Sequence, residues 1–343
     1  MKKTIIILLI SILVFFTAFV NNSHPYTPKY LTFEIPKGWP KPPANIFANN
    51  PLTEEGFQLG RKLFYDGRLS RDGSVSCAGC HQQFAVFSTY EHDFGHGIDN
   101  GHTTRNVPGI FNIAWMKELH WDGGINHIEV QPLVPITAKN EMDETLENVL
   151  KKLNADTAYK RMFRAAFGST LINSQRMLKA LAQFTGSIVA CNSKYDKVKR
   201  GEATFTISEE YGYIVFKEKC NSCHREPLFT DDSFRNNGLD VNPGINDFGR
   251  MTITHKNSDS LKFKVPSLRN IELTAPYMHD GRLHTLSQVI NHYRNKINTE
   301  QPTLDSLLKN RIAVTEQERV DLLSFLHTLT DENITKDKRY AQP

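Results

Sequence analysis

Two short strings concentrate the reactive side chains of this sequence. Cys77-Ala78-Gly79-Cys80-His81 and Cys220-Asn221-Ser222-Cys223-His224 each present a C-x-x-C pair followed at once by histidine. At that spacing the sulfurs stand about one helical turn apart, near enough to bond both vinyl groups of one porphyrin, and the next imidazole can turn onto the iron. A zinc site built from both pairs would leave His81 and His224 unexplained, and zinc-ribbon pairs are usually much closer in sequence. A redox C-x-x-C usually comes singly in a βαβ context, for which the sequence offers no pattern. Covalently bound haem, twice over, accounts best for both strings. The fifth cysteine, Cys191, ends the apolar run "ALAQFTGSIVAC" without a partner at such spacing and reads as a small buried hydrophobe.

Haem attached through thioethers belongs outside the cytoplasm, and the N-terminus agrees. Met1-Lys2-Lys3 precedes the charge-free, predominantly apolar run Thr4 to Val20, which ends at Asn21-Asn22-Ser23. Residues 1–22 therefore read as a signal peptide or an uncleaved membrane anchor, which places the rest of the chain in the periplasm, free or tethered to the inner membrane. The formal net charge of +4 and the 39% of hydrophobic residues argue against a nucleic-acid partner and against disorder, and allow a sizeable core.

The elements that must position the two strings follow from periodicity. Residues 23–52 include the proline-rich "PKGWPKPPANIFANNP" and read as an extended strap. A helix is expected from Thr53 to Tyr65 with Leu59, Leu63 and Phe64 on one face. Its Gly60-Arg61-Lys62-Leu63-Phe64 recurs as Gly212-Tyr213-Ile214-Val215-Phe216 before the second haem string, which suggests two related units joined end to end. Helical periodicity also runs over Met142–Asn154, Asp156–Phe167 and Ser174–Ala190, followed by "KYDKVKRGEATFT" as a charged link. Thr285-x-x-Gln288 and Thr315-x-x-Glu318 are capping boxes that open helices further on. Strand patterns are short and scattered.

Several longer strings carry a resemblance: "RLSRDGSVSCAGCH", "RNVPGIFNIAW", "HWDGG", "CNSCH", "DFGR" and "FKVPSLRNIELTAPYMHDGRLHTL". From about Pro51 to Leu329 the chain resembles the bacterial di-haem cytochrome c peroxidases, in the wider family that includes the MauG-like enzymes. The fold this implies is mainly α, with two cytochrome c-like haem domains in tandem, long loops and little strand. The expected divisions are 53–200 for an N-terminal peroxidatic domain and 201–335 for a C-terminal electron-transfer domain.

The resemblance also implies roles. His81 and His224 become the proximal iron ligands. Gln131 would hydrogen-bond peroxide, and Glu141 would serve as acid/base in O–O cleavage; without the resemblance, Glu141 is one more surface acid ahead of a helix. Trp121 falls between the two haems. His96, in Gly95-His96-Gly97, matches the loop that supplies a removable sixth ligand, although a histidine in such a loop is otherwise a solvated side chain. Tyr293 occupies the position of the sixth ligand of the second haem, with Met278 as the competing candidate. Asn106, Thr274 and the Pro276 carbonyl match an inter-domain calcium site. The implied activity is reduction of hydrogen peroxide to water with electrons from a small periplasmic c-type cytochrome or copper protein, in a chain expected to form a homodimer. The alternatives are MauG-like oxidation of a protein or organic substrate and, from another class, a non-catalytic di-haem electron-transfer cytochrome.

Overall fold

A computed structural model describes residues 26–343. The apolar run Thr4–Val20 lies outside the described residues, and among those described no helix is long and apolar enough to cross a membrane.

Helix α1 (Glu54–Phe64) starts where the Thr53 hydroxyl accepts from Gly56 N, with Glu54 and Glu55 in its first turn and Arg61 and Lys62 in its last, as the helix dipole favours. With α2 (Leu146–Ala155), α3 (Thr157–Phe167) and α4 (Ser174–Gly186) it encloses one core around Leu59, Leu63, Val149, Phe163 and Phe184. The second unit is built from α5 (Ile207–Lys219), α6 (Leu286–Asn291) and α7 (Glu316–His327) around Phe216, Phe229, Leu322 and Phe325. Strands β1 (Phe234–Arg235) and β2 (Phe263–Lys264) pair antiparallel. Both capping boxes form as expected.

The repeated pentapeptide has a packing reason. A Cβ on Gly60 would lie 1.9 Å from the Ala180 carbonyl oxygen, and one on Gly212 would lie 1.9 Å from that of Asp321. In both units a bare glycine lets two helices touch backbone to backbone. The phenylalanine one turn on then meets its counterpart: Phe64 and Phe184 have centroids 5.1 Å apart, as do Phe216 and Phe325. Gly212→Ala is therefore expected to force α5 from α7 and to cost about 1–3 kcal/mol, the range for overpacking a close contact. Thermal unfolding of the haem-loaded protein measures it, and an unchanged midpoint would remove the argument.

The strap crosses the junction between the units. Trp39 packs edge-on against Trp115 at 5.0 Å between centroids, and the Arg269 guanidinium lies 4.4 Å over its ring. At the other end of the chain, Ile334 and Tyr340 return to the first core. There Gln83 Nε2 donates to the Ile334 and Asp337 carbonyls at 3.0 and 2.8 Å, and Tyr65 Oη donates to the Tyr340 carbonyl at 2.7 Å.

Three expectations need correction. The "KYDKVKRGEATFT" link contains a helix, Lys194–Lys199, because Ser193 and Asp196 form a capping box of their own. Helix α4 stops at Gly186, short of Ala190, where Ser187 and Ile188 turn back to bond the Phe184 and Thr185 carbonyls. Cys191 therefore lies beyond the helix and is only half-buried.

Candidate functional site

Cys77–Cys80 forms a single helical turn, and His81 N donates to the Cys77 carbonyl at 2.8 Å. Its Nδ1 donates to the Phe87 carbonyl at 2.8 Å. That carbonyl is brought under the ring by a reversal in which Val86 and Phe87, both fully buried, take left-handed φ values of 56° and 59°. Bulky residues adopt that region only when the surroundings hold them there. The second string repeats the device: His224 Nδ1 lies 3.1 Å from the Pro266 carbonyl and 3.3 Å from that of Phe229, and Phe229 has φ 56°.

An imidazole whose Nδ1–H is engaged by a backbone carbonyl presents Nε2 as the lone-pair donor, the arrangement of an oriented metal ligand. Burial pushes the His81 pKa down to about 4, and the His224 pKa down as well, so both rings are neutral at pH 7. Cys77, Cys80, Cys220 and Cys223 form no disulfide. This donor set fits two thioether-bound haems, each with one protein ligand in place.

Above the first string, Glu141 is half-buried, and burial alone raises its pKa. The Cys80 thiol is pushed up to about 11 by burial and then by the Glu141 charge. Among the described residues the Glu141 carboxylate has no hydrogen-bond or ion-pair partner. Gln131 lies at the turn before the short helix Leu133–Thr137, and Glu141 at the return after it. Bonds from Met142 N to the Pro135 carbonyl (3.1 Å) and from Glu144 N to that of Ile136 (2.8 Å) close this loop.

His96 lies on the loop packed against Glu141. Its carbonyl is 3.5 Å from Cys80 Sγ, and the next turn is fastened by Ile98 N donating to the Glu141 carbonyl at 2.9 Å. The His96 ring itself is exposed and packs between His92 and His102.

Trp121 is half-buried at the junction of the units. Its Nε1 donates to the Asn106 carbonyl at 2.8 Å, and its own carbonyl accepts from Lys264 N of β2 at 2.7 Å. Around it, Arg105 pairs with Asp122 and, at 2.6 and 2.9 Å, with Asp247, while Arg250 pairs with Glu118 at 3.1 Å. Phe263 stacks on His279 at 3.7 Å with an interplanar angle of 10°. Asn106 N donates to the His279 carbonyl at 2.8 Å and Asn106 Nδ2 to that of Asp93 at 3.1 Å. Asn106 and Pro276 are buried, Thr274 is half-buried, and all three offer neutral oxygens.

In the second unit, Tyr293 lies in a π-helical turn, His292–Lys296, that widens the end of α6. It is half-buried against Ile297, Leu304 and Leu308, and burial pushes its pKa up to about 12. Asn237 Nδ2 lies 3.3 Å from Sδ of Met278, the competing candidate ligand. Asn237, the Arg105 pairs and the Phe263–His279 stack have no separate signature in the sequence. Arg105, Asp122 and Asp247 do each fall inside one of the strings that carry the resemblance.

Residues 54–204 match the family model described as di-haem cytochrome c peroxidase. The methylamine utilization protein MauG of Methylorubrum extorquens is 37% identical over 307 residues, covering 88% of this chain and 84% of that protein. The chain belongs to the di-haem cytochrome c peroxidase and MauG family. The cytochrome c551 peroxidase of Nitrosomonas europaea is 32% identical over 300 residues, covering 85% of each. Among solved structures, a MauG-like protein associated with microbial copper homeostasis aligns with a TM-score of 0.84 at 33% identity, over 91% of this chain and 99% of that one. Membership makes this di-haem peroxidase an oxidoreductase acting on peroxide and implies haem c at the two C-x-x-C-H strings. Replacing both Cys220 and Cys223 with Ala is accordingly expected to leave one covalent haem per chain. Haem-stained denaturing gels with pyridine-haemochrome counting test this; two haems per chain in the variant would defeat the assignment.

Proposed function

We propose that this peroxidase is MauG-like: it uses hydrogen peroxide to oxidise a protein or other organic substrate, acting in the periplasm. The observation that carries this reading is Tyr293, placed on the π-helical turn that ends α6, with burial pushing its phenol pKa up to about 12. An anionic oxygen ligand stabilises oxidised iron, whereas a thioether favours the reduced state. Were His224 and Tyr293 to hold the second haem, that group would be better suited to keeping an oxidising equivalent than to the prior uptake of a donor's electron.

When bound, the haems supply the redox-active iron on which peroxide is reduced and oxidising equivalents are held. The chain's own residues do the rest. Gln131 orients peroxide by hydrogen bonding. Glu141 takes a proton from the inner peroxide oxygen and returns it to the outer one, so that water can leave. The indole of Trp121, fixed by Asn106, fills the junction between the two sites and shortens the gaps in an electron path. Asn106, Thr274 and the Pro276 carbonyl are the proposed calcium ligands, with water completing the shell.

The ordinary peroxidase, fed by a small cytochrome or copper protein, is the second reading. It is favoured by Met278 Sδ, which the Asn237 amide approaches at 3.3 Å. Redox titration and near-infrared spectra of the wild type and Tyr293→Phe separate the two. The MauG-like reading expects a low potential for the second haem that rises when the phenol oxygen is removed. A methionine-to-iron charge-transfer band in both proteins, with a high potential retained in the variant, would restore the ordinary peroxidase.

A further inference from the structure

The loop after the first haem string carries three histidines that the peroxide chemistry does not use together. His96 and His102 face each other in an isolated antiparallel bridge. The flanking bonds, Gly97 N to the Gly101 carbonyl (2.7 Å) and Thr103 N to that of Gly95 (2.9 Å), make them a non-hydrogen-bonded pair. Side chains approach closest at such pairs, on one face of the ladder. Their ring centroids are 4.8 Å apart, and His92 adds a third ring 4.7 Å from His96.

All three side chains are exposed, and among the described residues none of their ring nitrogens has a hydrogen-bond or ion-pair partner. The backbone beneath them is fixed. Besides the bridge, Asn140 Nδ2 donates to the His102 carbonyl at 2.6 Å, and Gly95 N to Thr103 Oγ1 at 2.9 Å.

We propose that His92, His96 and His102 form a binding site for a late first-row divalent cation, of which Cu2+ and Zn2+ are the fitting examples. Neutral imidazoles are the preferred donors for these ions, and three with a water complete a four-coordinate shell. At present the rings meet edge to face, and among the described residues no three His, Cys, Asp or Glu groups already surround a common point. Binding therefore requires rotation of exposed side chains, a fast motion, on a backbone that does not have to move. The site adjoins Glu141, since the same loop bonds the Glu141 carbonyl through Ile98 N at 2.9 Å. Occupation would hold the His96 ring outward, with His92 and His102.

The test uses the untagged, haem-loaded, full-length protein titrated with Cu2+, with metal counted by plasma mass spectrometry and the copper examined by electron paramagnetic resonance. The expected result is a single equivalent beyond the haem iron, with nitrogen hyperfine structure from imidazole ligands. His102→Ala should weaken it by on the order of tenfold or more. His92→Ala/His102→Ala should abolish the nitrogen-rich signal while the haem absorption stays unchanged. Should the double variant fold poorly, His102→Gln gives the same readout with a smaller change. No additional equivalent, or equal copper binding in the variants, would overturn the site.

Discussion

Glu141→Gln is expected to retain both covalent haems and their resting spectra while slowing the reaction with peroxide by on the order of a hundredfold or more, the usual loss on removing a general acid/base. Glutamine keeps the shape and polarity of the side chain, so only the exchangeable proton is lost. The geometry gives the glutamate suitable surroundings: it is half-buried, its backbone is bonded by the loop whose His96 carbonyl lies 3.5 Å from Cys80 Sγ, and its carboxylate has no competing partner among the described residues. Burial raises its pKa, because removal from water disfavours the charged form. As the base form must abstract the first proton, the wild-type rate should fall on acidification through this raised value, at a higher pH than for an ordinary carboxylate. Stopped-flow mixing with peroxide across pH measures both effects. A variant as fast as the wild type would return Glu141 to the role of a surface acid.

The second large effect is expected at Arg269→Met, through stability. Arg269 donates to Asp196 through both terminal nitrogens, at 2.8 and 2.9 Å, and through Nε to the Pro227 carbonyl at 2.8 Å. The side chains are 1% and 6% exposed, so methionine would leave a buried carboxylate with no counter-charge. Breaking such a pair from one side costs about 3–5 kcal/mol. Adding Asp196→Asn, which keeps an acceptor for the Ser193 cap, should recover much of the loss. For Asp196, burial acts to raise the pKa, but hydrogen bonds and charge from Arg269 outweigh it and hold the carboxyl below its ordinary 3.8. The stabilisation is therefore fully present above about pH 4 and is lost only as pH falls through the depressed value. Urea unfolding of the haem-loaded proteins tests the argument, and equal midpoints for wild type and Arg269→Met would end it.

What could be read from the sequence was what is local. The C-x-x-C-H strings announce themselves because thioether attachment constrains five consecutive residues. Helix α1 and the boxes at Thr285 and Thr315 were legible because a helix start and a buried face are written within a few turns. Lys194–Lys199 was missed although Ser193-x-x-Asp196 is a capping signal, because the apolar periodicity that usually accompanies one is absent. What escaped is long-range. Arg269 and Asp196 are far apart in sequence, and nothing in either string names the other. The left-handed Phe87 and Phe229, which carry the carbonyls under the two imidazoles, break the rule that bulky residues avoid positive φ. The facing of His96 and His102 depends on hairpin register, which the sequence around them does not spell out.

The return of the last residues to the first core makes the two halves inseparable in manufacture. A fragment ending after the first unit would leave Phe57, Phe87 and Phe184, the rings that Tyr340 meets at 6.0 to 6.2 Å, open to water, and would leave the Gln83 amide without the carbonyls it binds. Gln83 is two residues past His81, so the exposed seam would run beside the first iron ligand. The unit encoded first is thus the one completed last, and splitting the gene at the junction would yield one damaged cytochrome and one orphaned tail.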